Sequence, residues 1–238
     1  MLRWPLLLVA ISCYGADSLT AELNLLRSNP ARYAAKLDAR KPFYRGAMLR
    51  LPNQVPLQTE EGVRALDEAI RALKKERPLP AVAESSALSK AAQDHVRDIG
   101  PKGLTSHKGT DGSTPASRIR RHQKNASEVA EVMSFGPSSA EDVIIDLLID
   151  DGVRDRGHRK ILLDPAYRAA GGFCGPHKTY GTVCVIDFSN VPAPDHAIFP
   201  FEPEHPDGRS VERKALRIGW RQFEPSSRED TQNVAVSE

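Results

Sequence analysis

The stretch "LLIDDGVRDRGHRKILLDPAYRAAGGF", residues 147–173, joins an apolar run to a dense group of charges and then to a β-prone segment. Between positions 150 and 159 it holds three aspartates, three arginines and a single histidine, His158. Charges at the end of a core helix could simply keep that end solvated, or they could carry the imidazole of His158 into a polar cavity. This stretch alone leaves both interpretations open.

The segment before it, "SSAEDVIIDLLIDD" at 138–151, predicts a buried helix. Ser138 and Glu141 have the spacing of a capping box. The positions 143–149 that follow are apolar except for Asp146, so we expect the helix to be enclosed on nearly every side.

The segment after it, "AAGGFCGPHKTYGTVCVIDFSN" at 169–190, predicts an antiparallel hairpin with a turn around Thr179. Cys174 and Cys184 are equidistant from Thr179, so a symmetric register places them opposite each other at a Cα separation of about 4.5 to 5.5 Å, which suits a disulfide. The alternatives are two buried free thiols, or a one-residue slip that separates the side chains. His177 is expected to be an exposed loop histidine.

Helical periodicity predicts further helices along the chain. Two short ones follow each other from Leu19 onward, with Asn29 capping the second, and longer ones cover "TEEGVRALDEAIRALKKERP" at 59–78 and "SSALSKAAQDHVRDIG" at 85–100. His95 lies on the apolar side of the last of these, where a packing role is the default.

Two segments carry turn and cap signals rather than a long helical pattern. Thr114 and Pro115 are suited to cap and begin another helix. Residues 40–58, rich in proline and without periodicity, suit an irregular loop.

Composition and termini limit the class of protein. A chain of 238 residues with net charge +2 supports one substantial core and has no pull toward nucleic acid. Residues 1–16 have the layout of a secretory signal peptide, with lipidation at Cys13 as an alternative, and no other segment is long and apolar enough to span a membrane. Residues 191–238 are rich in proline and charge, and predict an extended wrap or a disordered tail.

Common catalytic and cofactor motifs are absent: the sequence has no GxSxG, HExxH, CxxC, P-loop or dinucleotide fingerprint. What remains are His107, Glu131 and His158 near the ends of predicted elements. Two imidazoles and a carboxylate could hold a divalent metal or form a general acid/base pair if they converge, which spacing alone does not show.

Four ordered blocks then resemble the CAP superfamily, also called the SCP domain family. They are "LNLLRSNPARYAAKL", "LSKAAQDHVRDIGPKGLTSHKGTDGSTPASRI", "SEVAEVMSFG", and "LLIDDGVRDRGHRKILLDPAYRAAGGF" followed by "YGTVCVIDF". The likeness covers about residues 20–190, so the expected domain is 19–190, and its long arm before residue 80 is similar to a microbial or protist branch.

The resemblance implies an α+β fold, a three-layer α-β-α sandwich with a small antiparallel sheet. It also implies a cavity lined by His107, Glu131 and His158, with Asp155 as the second acid and Asp151 as its rival. Ala130 and Val132 stand where the family's "GEN" motif has glycine and asparagine, so the surroundings of Glu131 depart from the family pattern.

These expectations favour a secreted, non-enzymatic ligand-binding or interaction module, with a small apolar ligand or an extracellular protein as its partner. His107 and His158 would bind zinc or another divalent metal weakly, and Glu131 would be either a third ligand or the acceptor that fixes a histidine tautomer. A hydrolase using the same three residues and a sterol or lipid carrier are the alternatives. The sequence "NAS" at 125–127 is a glycosylation sequon, usable in a eukaryotic secretory pathway.

Overall fold

The computed structural model of the protein describes residues 16–52, 54–191 and 234–235. Residues 1–15 of the predicted signal peptide, with Cys13, and nearly all of the extension 191–238 lie outside these described residues. Within them, no helix is both long and apolar enough to cross a bilayer.

Seven α-helices and eight strands are present in the described ranges. The helices are α1 Ala16–Ser28, α2 Pro30–Asp38, α3 Val63–Lys75, α4 Ser86–Ile99, α5 Pro115–His122, α6 Ala140–Ile149 and α7 Gly157–Leu162, with 3₁₀ turns at Lys41–Phe43 and Gly100–Lys102. The strands are β1 Tyr44–Arg45, β2 Met48–Leu49, β3 Leu57–Gln58, β4 Ala83–Glu84, β5 Val129–Phe135, β6 Ala169–His177, β7 Gly181–Ser189 and β8 Val234–Ala235.

The main sheet has the strand order β4-β6-β7-β5-β8. Its centre is antiparallel, since β7 pairs with β6 on one side and with β5 on the other. The edge strands β4 and β8 pair in parallel with β6 and β5.

Helices cover both faces of this sheet, and the alternation of side chains along β5 shows which helices lie on which face. Ala130 and Val132 pack into the core formed with α1, α2, α3 and α6. Val129 and Met133 point the other way, toward the smaller clusters under α4 and α5. The fold is therefore the α-β-α sandwich that the resemblance implied, and Glu131 faces the α4–α5 layer.

Local cap signals predicted helix starts well. The Asn29 side chain accepts the Arg32 N–H at the start of α2, and Thr114 caps α5 before Pro115. The cap predicted at Ser138 is wrong by one residue. Ser139 has the extended backbone of a cap and its hydroxyl accepts the Asp142 N–H.

The irregular loop expected at 40–58 is partly wrong. This arm contains a 3₁₀ turn and a small antiparallel sheet, β1-β2-β3, built from two-residue strands. Tyr44 and Leu49 are buried and join the main core. Strands of two residues are too short to show an alternation of apolar and polar side chains, so the prolines of this arm are its main sequence signal, and they favour a loop.

The hairpin β6–β7 has the predicted register, with Cys174 directly opposite Cys184. The two are joined by a disulfide at a Cα separation of 4.1 Å. The prediction for His177 is wrong, because this histidine is buried at the end of β6. Its Nε2–H donates to the Leu104 carbonyl, and its Nδ1 accepts the Thr179 backbone N–H, so the ring fastens the hairpin tip to the loop that follows α4.

The charged stretch is held by specific contacts rather than merely solvated. Arg156 makes ion pairs with Glu61 and Glu68, and Arg159 makes another with Glu68. Asp151 accepts the backbone N–H groups of Glu60 and Glu61 just before α3. These contacts tie the α6–α7 turn to the start of α3.

Candidate functional site

Glu131 lies in the middle of β5 and is fully buried. Its neighbours Ala130 and Val132 face the opposite side of the sheet, where they fill the main core. Their departure from the family motif therefore adds apolar packing behind Glu131, and the carboxylate itself still faces the α4–α5 layer.

His107 is brought to Glu131 by the loop between α4 and α5. The His107 Nδ1–H donates to Glu131 Oε1 at 2.7 Å. The loop is anchored at Asp98 of α4, whose carboxylate accepts the Thr110 N–H at 2.7 Å. The structure thus brings His107 and Glu131 into contact.

Arg118, which the sequence did not single out, and His95, for which it predicted a packing role, complete this cluster. Arg118 of α5 donates from Nη2 to Glu131 Oε2 at 2.7 Å. His95, buried as predicted, donates from Nε2 to the Ser106 carbonyl, and the same nitrogen lies 3.8 Å from Glu131 Oε1. Burial lowers the pKa of His95 despite the attraction of Glu131, which keeps this ring neutral.

A second carboxyl group, Asp187 of β7, lies directly opposite Glu131 in the strand register and is also fully buried. Burial, together with the negative charge of Glu131, raises the pKa of Asp187 well above its ordinary value. Burial would raise the pKa of Glu131 too, but the His107 hydrogen bond and the Arg118 charge outweigh it and lower that pKa. Of the two carboxyl groups, Glu131 therefore ionises more readily than Asp187.

His158 is held by a different carboxylate, that of Asp150. Asp150, the C-cap of α6, has the left-handed backbone conformation, with φ 56°. The chain reverses direction there, so the start of α7 returns to the side chain of Asp150. The His158 Nδ1–H then donates to Asp150 Oδ1 at 2.7 Å, while Asp150 Oδ2 accepts the backbone N–H groups of His158 and Arg159. The side chain of Asp150 is buried, and the ring of His158 is half-buried.

Neither Asp155 nor its rival Asp151, the positions expected for the second acid, is the residue that contacts the ring of His158. Asp155 is exposed in the α6–α7 turn, and Asp151 caps the segment before α3. The acid that contacts His158 is Asp150, eight positions earlier in the chain. The left-handed turn at Asp150 brings Asp150 and His158 together.

The described residues thus contain two carboxylate–histidine pairs with the same atomic arrangement: in each, the ring Nδ1 donates to a buried carboxylate. This is the arrangement found around metal-binding histidines, where the carboxylate fixes tautomer and orientation. Glu131 does not fit the role of third ligand, because Oε1 accepts from His107 and Oε2 from Arg118. Across the described ranges, no group of three or more His, Cys, Asp or Glu residues is arranged to hold a metal.

Comparison with known proteins gives a family and a fold likeness. The model of the family described as "CAP: Cysteine-rich secretory protein family" matches residues 26–188. Among solved structures, the chain is similar to an outer surface protein from Borrelia burgdorferi, with 20% identity, a TM-score of 0.41, and coverage of 53% of this chain and 90% of that one. It is also similar to an extracellular protein containing an SCP domain from Bacillus anthracis, with 21% identity, a TM-score of 0.40, and coverage of 52% of this chain and 37% of that one. None of the curated proteins matches the sequence.

Proposed function

The chain belongs to the CAP family of cysteine-rich secretory proteins, and from that membership we propose that it is a secreted, non-enzymatic binding module in which His107 and His158 hold a zinc ion. Export is supported by the signal-peptide layout of residues 1–16 and by the Cys174–Cys184 disulfide, a bond typical of oxidising compartments.

The observation that carries the zinc proposal is the pairing of each histidine with a buried carboxylate through Nδ1 at 2.7 Å. Coordination through Nε2 would leave both of these contacts intact. Neutral imidazole with its other nitrogen hydrogen-bonded to a carboxylate is a preferred zinc ligand, because the carboxylate fixes the tautomer and orientation of the ring. With only two protein ligands the affinity should be modest, and a bound zinc ion would offer open positions to an anionic or carbonyl group of a binding partner.

A hydrolase based on these residues is less well supported. A general base must accept a proton from water, but both oxygens of Glu131 already accept hydrogen bonds. Its lowered pKa, which the contacts with His107 and Arg118 cause against the effect of burial, makes it a weak base. The geometry suits Glu131 to orienting His107.

An equilibrium zinc titration of the full chain tests the proposal. We expect one zinc per chain for the unchanged protein and none for His107→Ala combined with His158→Ala. His122→Ala is the matched control, because His122 is a partly exposed histidine of α5 that contacts Asp94 instead. Equal zinc uptake by the double variant and the unchanged protein would refute the proposed site.

A further inference from the structure

Arg118 of α5 is a buried cation, although the sequence of this helix shows only a run of basic residues. The end of α5 carries Arg118, Arg120 and Arg121 in four positions. Arg121 is exposed and pairs with Asp111, whereas the Arg118 side chain has 2% of its surface exposed. Because burying an unpaired guanidinium is costly, its partners must compensate for the lost hydration.

Those partners belong to two different elements. Nη2 donates to Glu131 Oε2 at 2.7 Å and to the His107 carbonyl at 2.9 Å. Nη1 donates to the Ser113 carbonyl and hydroxyl at 3.2 and 3.3 Å. One guanidinium thus joins β5 to both ends of the segment that carries His107.

The contacts form a closed triangle around His107. The ring of His107 donates to Glu131, Glu131 accepts from Arg118, and Arg118 donates back to the main chain of His107. His107 is therefore held at two points, its ring Nδ1 and its backbone carbonyl, by the ion pair between Arg118 and Glu131. A planar guanidinium makes these contacts from Nη2 while its Nη1 reaches Ser113, whereas a single lysine nitrogen cannot reach both sets of acceptors.

We propose that Arg118 is the positioning residue for His107, acting through Glu131 and through the His107 carbonyl to keep the ring in the Nδ1–H tautomer. The part of this inference that concerns metal rests on the proposed function. The part that concerns the ring does not: without Arg118, Glu131 loses its cationic partner and the His107 carbonyl loses its donor, so the ring is no longer held to one tautomer.

The test compares Arg118→Lys with Arg121→Lys, the same substitution three positions away on the exposed side of α5. The ¹⁵N chemical shifts of His107 in the metal-free full chain report its tautomer, a readout that a purely structural role would not move. We expect the Nδ1–H form in the unchanged protein and in Arg121→Lys, and a mixture of tautomers in Arg118→Lys. Zinc affinity should fall roughly 10- to 100-fold in Arg118→Lys alone, as is typical for loss of a residue that orients a metal ligand.

The outcomes separate the two proposals. If the unchanged protein binds no zinc, the proposed function fails, and the ¹⁵N shifts alone still decide the role of Arg118. If Arg118→Lys folds and keeps a pure Nδ1–H tautomer, the inference is overturned. If Arg118→Lys does not fold, the unchanged protein decides: a guanidinium fixed by these contacts gives separate Nη1 and Nη2 signals, and a single averaged signal overturns the inference.

Discussion

The carboxylate of Asp150 holds His158 at two points, accepting the ring Nδ1–H at 2.7 Å and the backbone N–H at 3.0 Å. The same carboxylate accepts the Arg159 N–H, so it caps α7 from a position eight residues earlier in the chain. The charged stretch is thus organised around one buried aspartate, which links the end of α6 to the start of α7.

Replacing Asp150 with asparagine should therefore destabilise the protein. An amide oxygen cannot accept all three hydrogen bonds, and buried hydrogen bonds to a charged group contribute about 1.5 to 3 kcal/mol each. We expect a loss of about 1.5 to 3 kcal/mol in the free energy of unfolding, measured by urea denaturation. The matched control is Asp155→Asn at an exposed position, where the change should stay within about 0.5 kcal/mol. Equal effects at the two positions would contradict the role given to Asp150.

The disulfide predicts the behaviour of the thiols. Alkylation of the unreduced, denatured mature protein should label neither Cys174 nor Cys184, because both are joined across the hairpin. Changing both to alanine should cost no more than about 3 kcal/mol, since the closed loop is short. Two labelled thiols would show that the cysteines are separate core residues in the protein as isolated.

Asp187 predicts an unusual pH dependence of stability. Burial and the charge of Glu131 raise its pKa in the folded protein, so the unfolded chain releases this proton more readily. As the pH rises from the ordinary pKa of 3.8 toward the raised pKa of Asp187 in the folded protein, this group progressively lowers the free energy of unfolding. Asp187→Asn mimics the protonated acid, so its stability relative to the unchanged protein should increase from pH 4 to pH 8.

Urea denaturation at several pH values measures this difference, and Asp155→Asn again supplies the control. An advantage of Asp187→Asn that is independent of pH, or largest in acid, would show that Asp187 is ionised in the folded protein.

The sequon is placed where a glycan could attach. Asn125 is exposed in the turn between α5 and β5, and Ser127 is exposed beside it. When the chain is expressed through a eukaryotic secretory pathway, we expect its intact mass to fall after deglycosidase treatment, and Asn125→Gln to abolish that shift. An unchanged mass on treatment of the original chain would show that the sequon is unused.

Local signals predicted much of the fold because their causes are local. The caps at Asn29 and Thr114 depend on neighbouring N–H groups, and the hairpin register follows from the symmetry of its turn. Asp150 escaped prediction because its contact with His158 requires a left-handed residue that the sequence does not mark. Arg118 escaped because a buried arginine and the exposed Arg121 look alike in a basic helix. The burial of such residues is decided by packing between distant segments.

X-ray absorption spectroscopy of the one-to-one zinc complex decides whether His107 and His158 bind one zinc ion through imidazole nitrogens. We predict a first shell of nitrogen and oxygen near 2.0 to 2.1 Å with the outer scattering of two imidazoles. His107→Ala and His158→Ala should each remove one imidazole from that signal. A spectrum without imidazole scattering, or one that neither substitution changes, would contradict the account.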